Sequence, residues 1–348
     1  ALFNNAQVNG GSGTWRSPLN DTWTDSTGTA NSGWQADGFA IFQGQPGIVT
    51  VDNSAGAVTF SGAQFTTNGY AVTGAPLTTN AADTQIRVGD GTSAGTAMTA
   101  TINAVIQGTG AINKTDLGTL VLNGANRHTG GTKLSSGVLR VANDSALGDA
   151  SGGLTFDGGT LQLAASFDPA STRAVELMGG GGTIDTNGFQ ATLNQGIAGT
   201  GGLKKAGAGT LVLAGNNSYT GPTVVNAGTL QAGAAQNLGA SSGMTVASGA
   251  TFFLNGFDQS LASLSNSGTV RLGAAGTTPG TILTTGNYVG SGTIALNTFL
   301  GADNSPTDKL VINGGSASGG PGTLAITKTG RGGPAGGKGA GGGGRGGG

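Results

Sequence analysis

The stretch GTLVLNGANRHTGGT, residues 118–132, returns ninety-one residues later as GTLVLAGNNSYTGPT, residues 209–223. The wider blocks 108–141 and 199–232 align without a gap and share 16 of 34 positions. The shared residues are Gly, Thr, Leu, Val, Asn and Lys, at turn and strand positions. Each block is followed by a similar tail, ALGDASGGLTFDGGTLQL at 146–163 and NLGASSGMTVASGATFFL at 237–254. A chain that reuses a unit like this is built by stacking. One unit cannot bury its own apolar face, and the next copy covers it.

The units are made of short strands. Leu120-Val121-Leu122, Leu154-Thr155-Phe156, Leu161-Gln162-Leu163, Leu211-Val212-Leu213 and Leu310-Val311-Ile312 are each bounded by Gly, Asn or Ser. Alternation inside them turns one face inward. Such strands are too short to persist as free hairpins. Upstream, FAIF (39–42), GIVTVD (47–52), AVTFSG (57–62) and IRVGDGT (86–92) read the same way. TTNGYAVTG (66–74) offers an Asn-Gly turn between β-prone flanks. Six Asn-Gly dipeptides in the chain are expected to supply positive-φ corners. Gly124 and Gly130 are expected to turn the first repeat, with Leu120 and Leu122 facing the core.

Two architectures accommodate repeated short strands. A β-propeller needs blades of about 40 residues with a recurring aromatic or Trp-Asp signature, and none recurs here. A parallel β-helix needs short strands and tight corners. The expectation is an all-β chain folded as a right-handed single-stranded parallel β-helix, a solenoid. With roughly 20 residues per coil, about 15 coils would form a rod on the order of 70 Å long at the interstrand spacing. Residues 1–100 are expected to hold an N-terminal cap and the first coils. Residues 101–328 form the repeat-bearing body. Residues 329–348, mostly Gly with nothing to pack, are expected to be a disordered tail.

Composition supports this and excludes other classes. Of 348 residues, 72 are Gly and only 9% are charged. Glu176 is the only glutamate, and strong helix formers are scarce. The net charge of −1 gives no electrostatic footprint for nucleic acid or an anionic membrane. There is no cysteine, so disulfides and thiolate chemistry are out. A cysteine-free chain also suits export in an unfolded state. No run of about 20 apolar residues suggests a transmembrane helix, and no signal peptide is visible at Ala1.

The 199–232 block resembles the passenger-associated transport repeat of bacterial autotransporters. Its pattern GxGxLxKxGxGTLxLxGxNxYTGxTxxxxGxL is met from Gly199 through Leu203, Lys205, Gly209, Leu213, Asn217, Tyr219 and Thr223 to Leu230. The 108–141 copy departs from it at Ile112, Asp116 and His128. The segment 284–319, above all DNSPTDKLVINGG, is similar to the end of pertactin-like passengers, and 34–74 is similar to their start. The resemblance implies a cell-surface or secreted protein of a Gram-negative bacterium, exported through the periplasm and outer membrane. It implies a C-terminal β-barrel translocator of its own, absent from this chain. It also implies repeats that assist export and folding rather than catalysis.

No residue is assigned a catalytic, cofactor-binding or metal-ligating role. A Ser-His-acid triad needs a histidine base, and the only histidine, His128, stands where the second copy has Tyr219. It reads as a repeat-position substitution. No GxSxG context is present. The carboxylate pairs Asp144/Asp149 and Asp303/Asp308, each five residues apart, read as turn caps. GGGGTID (179–185) places Asp185 one position too late for a calcium nonapeptide. Trp15, Trp23 and Trp34 are read as plugging an open solenoid end; stacking on sugar rings is the alternative. The functional expectation is a non-enzymatic adhesin or stalk. Its partners would be host or bacterial surface molecules, or further copies of itself along the side of the helix. A β-helical polysaccharide-active enzyme and a plain spacer are the competing readings.

Overall fold

A computed structural model describes residues 7–17, 22–24, 29–238, 243–274, 277–299 and 304–329. Of the glycine-rich tail, all but Thr329 lies outside these residues. The described chain is an all-β parallel solenoid with no α-helix. Short strands joined by glycine corners cannot close locally, so each pairs with the strand one turn before and one turn after it.

A turn visits three faces. Thr99–Ile102 lies on the first, Ile106–Gly108 on the second and Ile112–Thr115 on the third. Thr119–Leu122 then returns to the first face and pairs in parallel with Thr99–Ile102. The first face is continuous: fourteen strands stack along one path from Gly13–Arg16 to Lys309–Ile312. Along it Thr119 is followed by Val138, Thr160, Thr183 and Lys204, so a turn takes 19 to 23 residues. The expected coil length of roughly 20 residues holds here. The third face carries strands as far as Ile197–Gly199. The second face carries the pair strands Ile106–Gly108 and Arg127–His128, then two 3-10 turns, Asp144–Leu147 and Ala150–Gly152. From Gln190–Leu193 it becomes a seven-stranded sheet ending at Thr323–Thr329.

The core is a set of inward rows. On the first face Ala100, Leu120, Leu139, Leu161 and Ile184 stack one above another, all buried. On the second face Leu211, Leu230, Phe252, Val270 and Ile294 do the same. Each of the Leu, Ile, Val and Phe side chains in these rows contributes about 1.5–3 kcal/mol of burial. Leu120 and Leu122 face the core as expected.

Five of the six Asn-Gly glycines, Gly10, Gly69, Gly188, Gly256 and Gly314, carry the expected positive φ, and Gly124 does not. The flanks of TTNGYAVTG do not form a hairpin. Val58–Phe65 pairs with Gly38–Phe42 and Thr84–Val88, while Ala71–Gly74 pairs with Ile48–Asp52. The Asn-Gly step is a corner between faces. Asn187 and Gly188 do carry positive φ, 48° and 90°. Gly124 and Gly130 do not. Their glycine is required by stacking instead: a Cβ on Gly124 would press on the Ala104 carbonyl, and one on Gly130 on the backbone of Gly110 and Ala111.

The ninety-one-residue spacing has a geometric consequence. Four turns carry Thr119 to Lys204, not to its repeat equivalent Thr210. Thr210 lies one face further on, in the second-face sheet. Likewise Ile112–Thr115 is on the third face and its equivalent Leu203–Ala206 on the first. The second copy is therefore rotated by one face, a third of a turn, about the axis.

Candidate functional site

The corners of the repeat bring its shared polar residues together. Lys114 stands in an inward row between Ile86 and Leu134. Lys205 stands between Ile184 and Val225. Both are wholly buried. An ammonium group has three donors, and each lysine uses all three on backbone carbonyls. Lys114 Nζ donates to Thr115, Asp116 and Ser136 at 2.8, 2.8 and 3.3 Å. Lys205 Nζ donates to Ala206, Gly207 and Ala227 at 2.9, 2.7 and 3.0 Å. Two carbonyls belong to the lysine's own turn and one to the next, so each lysine ties successive turns at a corner. Burial lowers Lys114 to about 7 and Lys205 to about 8, with Asp116 and Asp185 pulling the other way.

Asparagine does the same at the next corner. Asn126 Oδ1 accepts from the Ile106 amide and its Nδ2 donates to the Ala146 carbonyl. Asn217 accepts from the Ile197 amide and donates to Asn237. Each side chain spans three turns. The following position is closed by an aromatic ring. Tyr219 Oη meets Thr223 Oγ1 at 2.6 Å, and His128 Nε2 meets Thr132 Oγ1 at 3.1 Å. His128 is wholly buried and does not face solvent or a carboxylate. Burial lowers it to about 4; the Ile106 backbone opposes this and the Arg173 cation reinforces it. It is a neutral packing group in the position of a tyrosine.

The carboxylates are spent on the fold. Asp149 caps the Ala150–Gly152 turn by accepting from the Ser151 amide at 2.9 Å. Asp144 is not a cap. It takes the Nε and Nη2 of fully buried Arg173 at 2.8 and 3.0 Å, while Asn143 caps its turn. Arg173 also donates to the carbonyls of Leu147, Gly148 and Asp149, fixing the whole 144–149 segment. Asp303 lies outside the described residues. Asp308 is buried and accepts three backbone amides, from Gly280, Thr281 and Asn297 at 2.9, 3.0 and 2.8 Å. Asp185 accepts from Gln162 and from the Asn187 amide. Among the described residues no three His, Asp or Glu side chains converge as a metal site.

Trp15, Trp23 and Trp34 pack on one another with ring centroids 4.7–5.2 Å apart. Phe42 and Phe60 extend the cluster, and Trp15 and Trp34 are buried. Trp23 is half-buried and lines a cleft together with Phe42 and Tyr70. Sequence reasoning missed the buried lysines and Arg173, and it read Asp308 as a turn cap without its reach to the adjoining turn. The lysines carried a signal: Lys205 has the same parity as buried Leu203 and recurs as Lys114.

Comparison with known proteins fits this geometry. The passenger-associated transport repeat matches residues 112–141 and 203–232, and the type 1 autochaperone domain matches 259–341. The chain is 41% identical, over 95% of its length, to the Adhesin BmaC autotransporter of Brucella suis biovar 1 (strain 1330), and spans 9% of that protein. It is 38% identical, over 38% of its length, to the Uncharacterized protein YuaQ of Escherichia coli (strain K12), of which it spans 10%. No solved structure matches the chain. Stacked repeats with shared corner residues, an autochaperone segment and an autotransporter relative make this chain autotransporter passenger sequence, located at the cell surface or secreted from a Gram-negative bacterium.

Proposed function

We propose that the chain is a non-enzymatic adhesive segment of its passenger, and that its repeats and autochaperone segment assist export and folding. The adhesive reading is supported by the relative named as an adhesin. It is also supported by the use of His128, Asp144, Asp149 and Asp308 in holding turns together. Contact with a surface would then be made along the side of the rod, through side chains that point outward from successive turns. Host or bacterial surface molecules are the proposed partners, with self-association along the same side as the other mode. The Trp cluster closes the first turns as a cap.

The export reading rests on the pairing of the 259–329 segment. Gln259–Asn266 pairs with Ile282–Gly290 over seven residues, and Thr293–Phe299 with Thr323–Thr329 over seven. These are the longest ladders in the described solenoid. Asp308 holds the intervening corner to both neighbouring strands. Such a segment can order first and present a strand edge on which earlier turns add, which supplies a folding template at the end of the rod.

The test is to display the chain through a β-barrel translocator on a non-adherent bacterium. The expected result is attachment to epithelial cells, matrix or sister bacteria that is lost without residues 1–258. Deleting 259–329 is expected to cut the protease-accessible surface fraction severalfold at unchanged synthesis. Full display without any attachment would sink the adhesive reading. Undiminished display of a protease-resistant deletion chain would sink the export reading.

A further inference from the structure

The second-face corner of the first repeat contains a buried titratable group whose second ring nitrogen has no partner of hydrogen-bond geometry. Thr132 Oγ1 donates to the Leu147 carbonyl at 2.9 Å. Its oxygen must therefore accept from His128 Nε2, 3.1 Å away. That fixes the neutral imidazole with its proton on Nε2 and leaves Nδ1 bare. Nδ1 is buried and has no partner of hydrogen-bond geometry. Gly148 lies directly against the ring, where even a Cβ would collide with Nε2 and Cε1.

The charges around the ring oppose a proton as well. On the strand before it, Ile106–Gly108 carries no titratable group. On the strand after it, Lys133 is paired outward with Asp157. The 3-10 turns above bring Asp144 and Asp149, and the segment beyond brings Arg173. Asp144 is neutralised by Arg173, whose guanidinium reaches the carbonyls of Gly148 and Asp149 beside the ring. Asp149 is committed to Ser151. Exposed Arg127 adds a further cation next to His128 in sequence. The Tyr219 corner of the second repeat has the same hydroxyl partner and carries no proton-accepting group at this position.

We infer that the turn closed by His128 opens locally in mild acid, while the equivalent turn closed by Tyr219 stays shut. Protonation favours expulsion of the ring from between the 106–108 and 144–149 segments, because the backbone of Ile106 only partly offsets the burial of an imidazolium. Opening frees the imidazole to its ordinary value of 6.5, against about 4 in the closed turn. Local opening is then favoured about 30-fold more at pH 5 than at pH 7.5.

Hydrogen exchange of the full chain, corrected for intrinsic rates, tests this at the two pH values. Backbone amides of 126–152 are expected to lose protection by about 30-fold at pH 5, and those of 217–238 to keep theirs. His128→Tyr is expected to abolish the acid response. Tyr219→His is expected to create one in 217–238, and it decides the matter alone if His128→Tyr does not fold. Equal protection of 126–152 at both pH values would overturn the inference. So would an acid response that survives in His128→Tyr, or a Tyr219→His chain whose 217–238 segment stays shut.

Discussion

A lysine inside an aliphatic row costs desolvation of a cation, and Lys205 recovers it through three carbonyls. Lys205→Met keeps the stem but abandons those carbonyls at a buried corner. We expect a loss of about 2–4 kcal/mol in urea unfolding, and a similar loss for Lys114→Met. Acid acts on the neighbouring histidine with a defined sign. The folded-state value of His128, about 4, lies below the ordinary 6.5, so the unfolded chain binds more protons between them. Stability due to this group is complete above pH 6.5 and is lost as pH falls to 4, by up to about 3 kcal/mol. The urea midpoint of the wild-type chain should fall over that window more steeply than that of His128→Tyr. The His-for-Tyr exchange was legible in the sequence, because two copies can be laid side by side. Arg173 was not, and Asp308 was legible only as a turn cap. Their partners lie 29 and 28 residues away, one turn along the rod, and nothing local betrays them.

At the scale of the strand, brevity and repetition made the solenoid legible before any coordinate. Leu-Val-Leu triplets between glycines can be buried only by stacking. The corners were less legible, since glycine serves two ends. Some glycines need positive φ, and others need the absence of a side chain between stacked backbones. Gly249 and Gly209 separate the two. Gly249 has φ of 78° and open space around its missing Cβ, whereas a Cβ on Gly209 would land on the Phe189 carbonyl oxygen. Gly249→Ala should cost about 1 kcal/mol of backbone strain. Gly209→Ala should cost about 2–3 kcal/mol, because two turns must part. Thermal unfolding of the two variants checks the order, and equal costs would contradict this division of roles. The Asn68-Gly69 turn shows where such a corner leads. The turn chemistry was read correctly, but its flanks pair along the rod axis rather than with each other.

Across the whole molecule each turn touches only its neighbours, so local defects need not spread. That is why a single acid-sensitive turn can open while the turns around Tyr219 remain closed. The repeat copies also differ in azimuth. Lys114 ties a corner of the third face and Lys205 a corner of the first. They stand a little over four turns apart, about 20 Å along the axis. An antibody raised against the outward residues of one copy would therefore have to come around the rod to meet the other. A receptor on a flat membrane could engage one copy at a time, and a rod lying against a cell would keep the second copy's side turned toward the medium or toward a neighbouring bacterium.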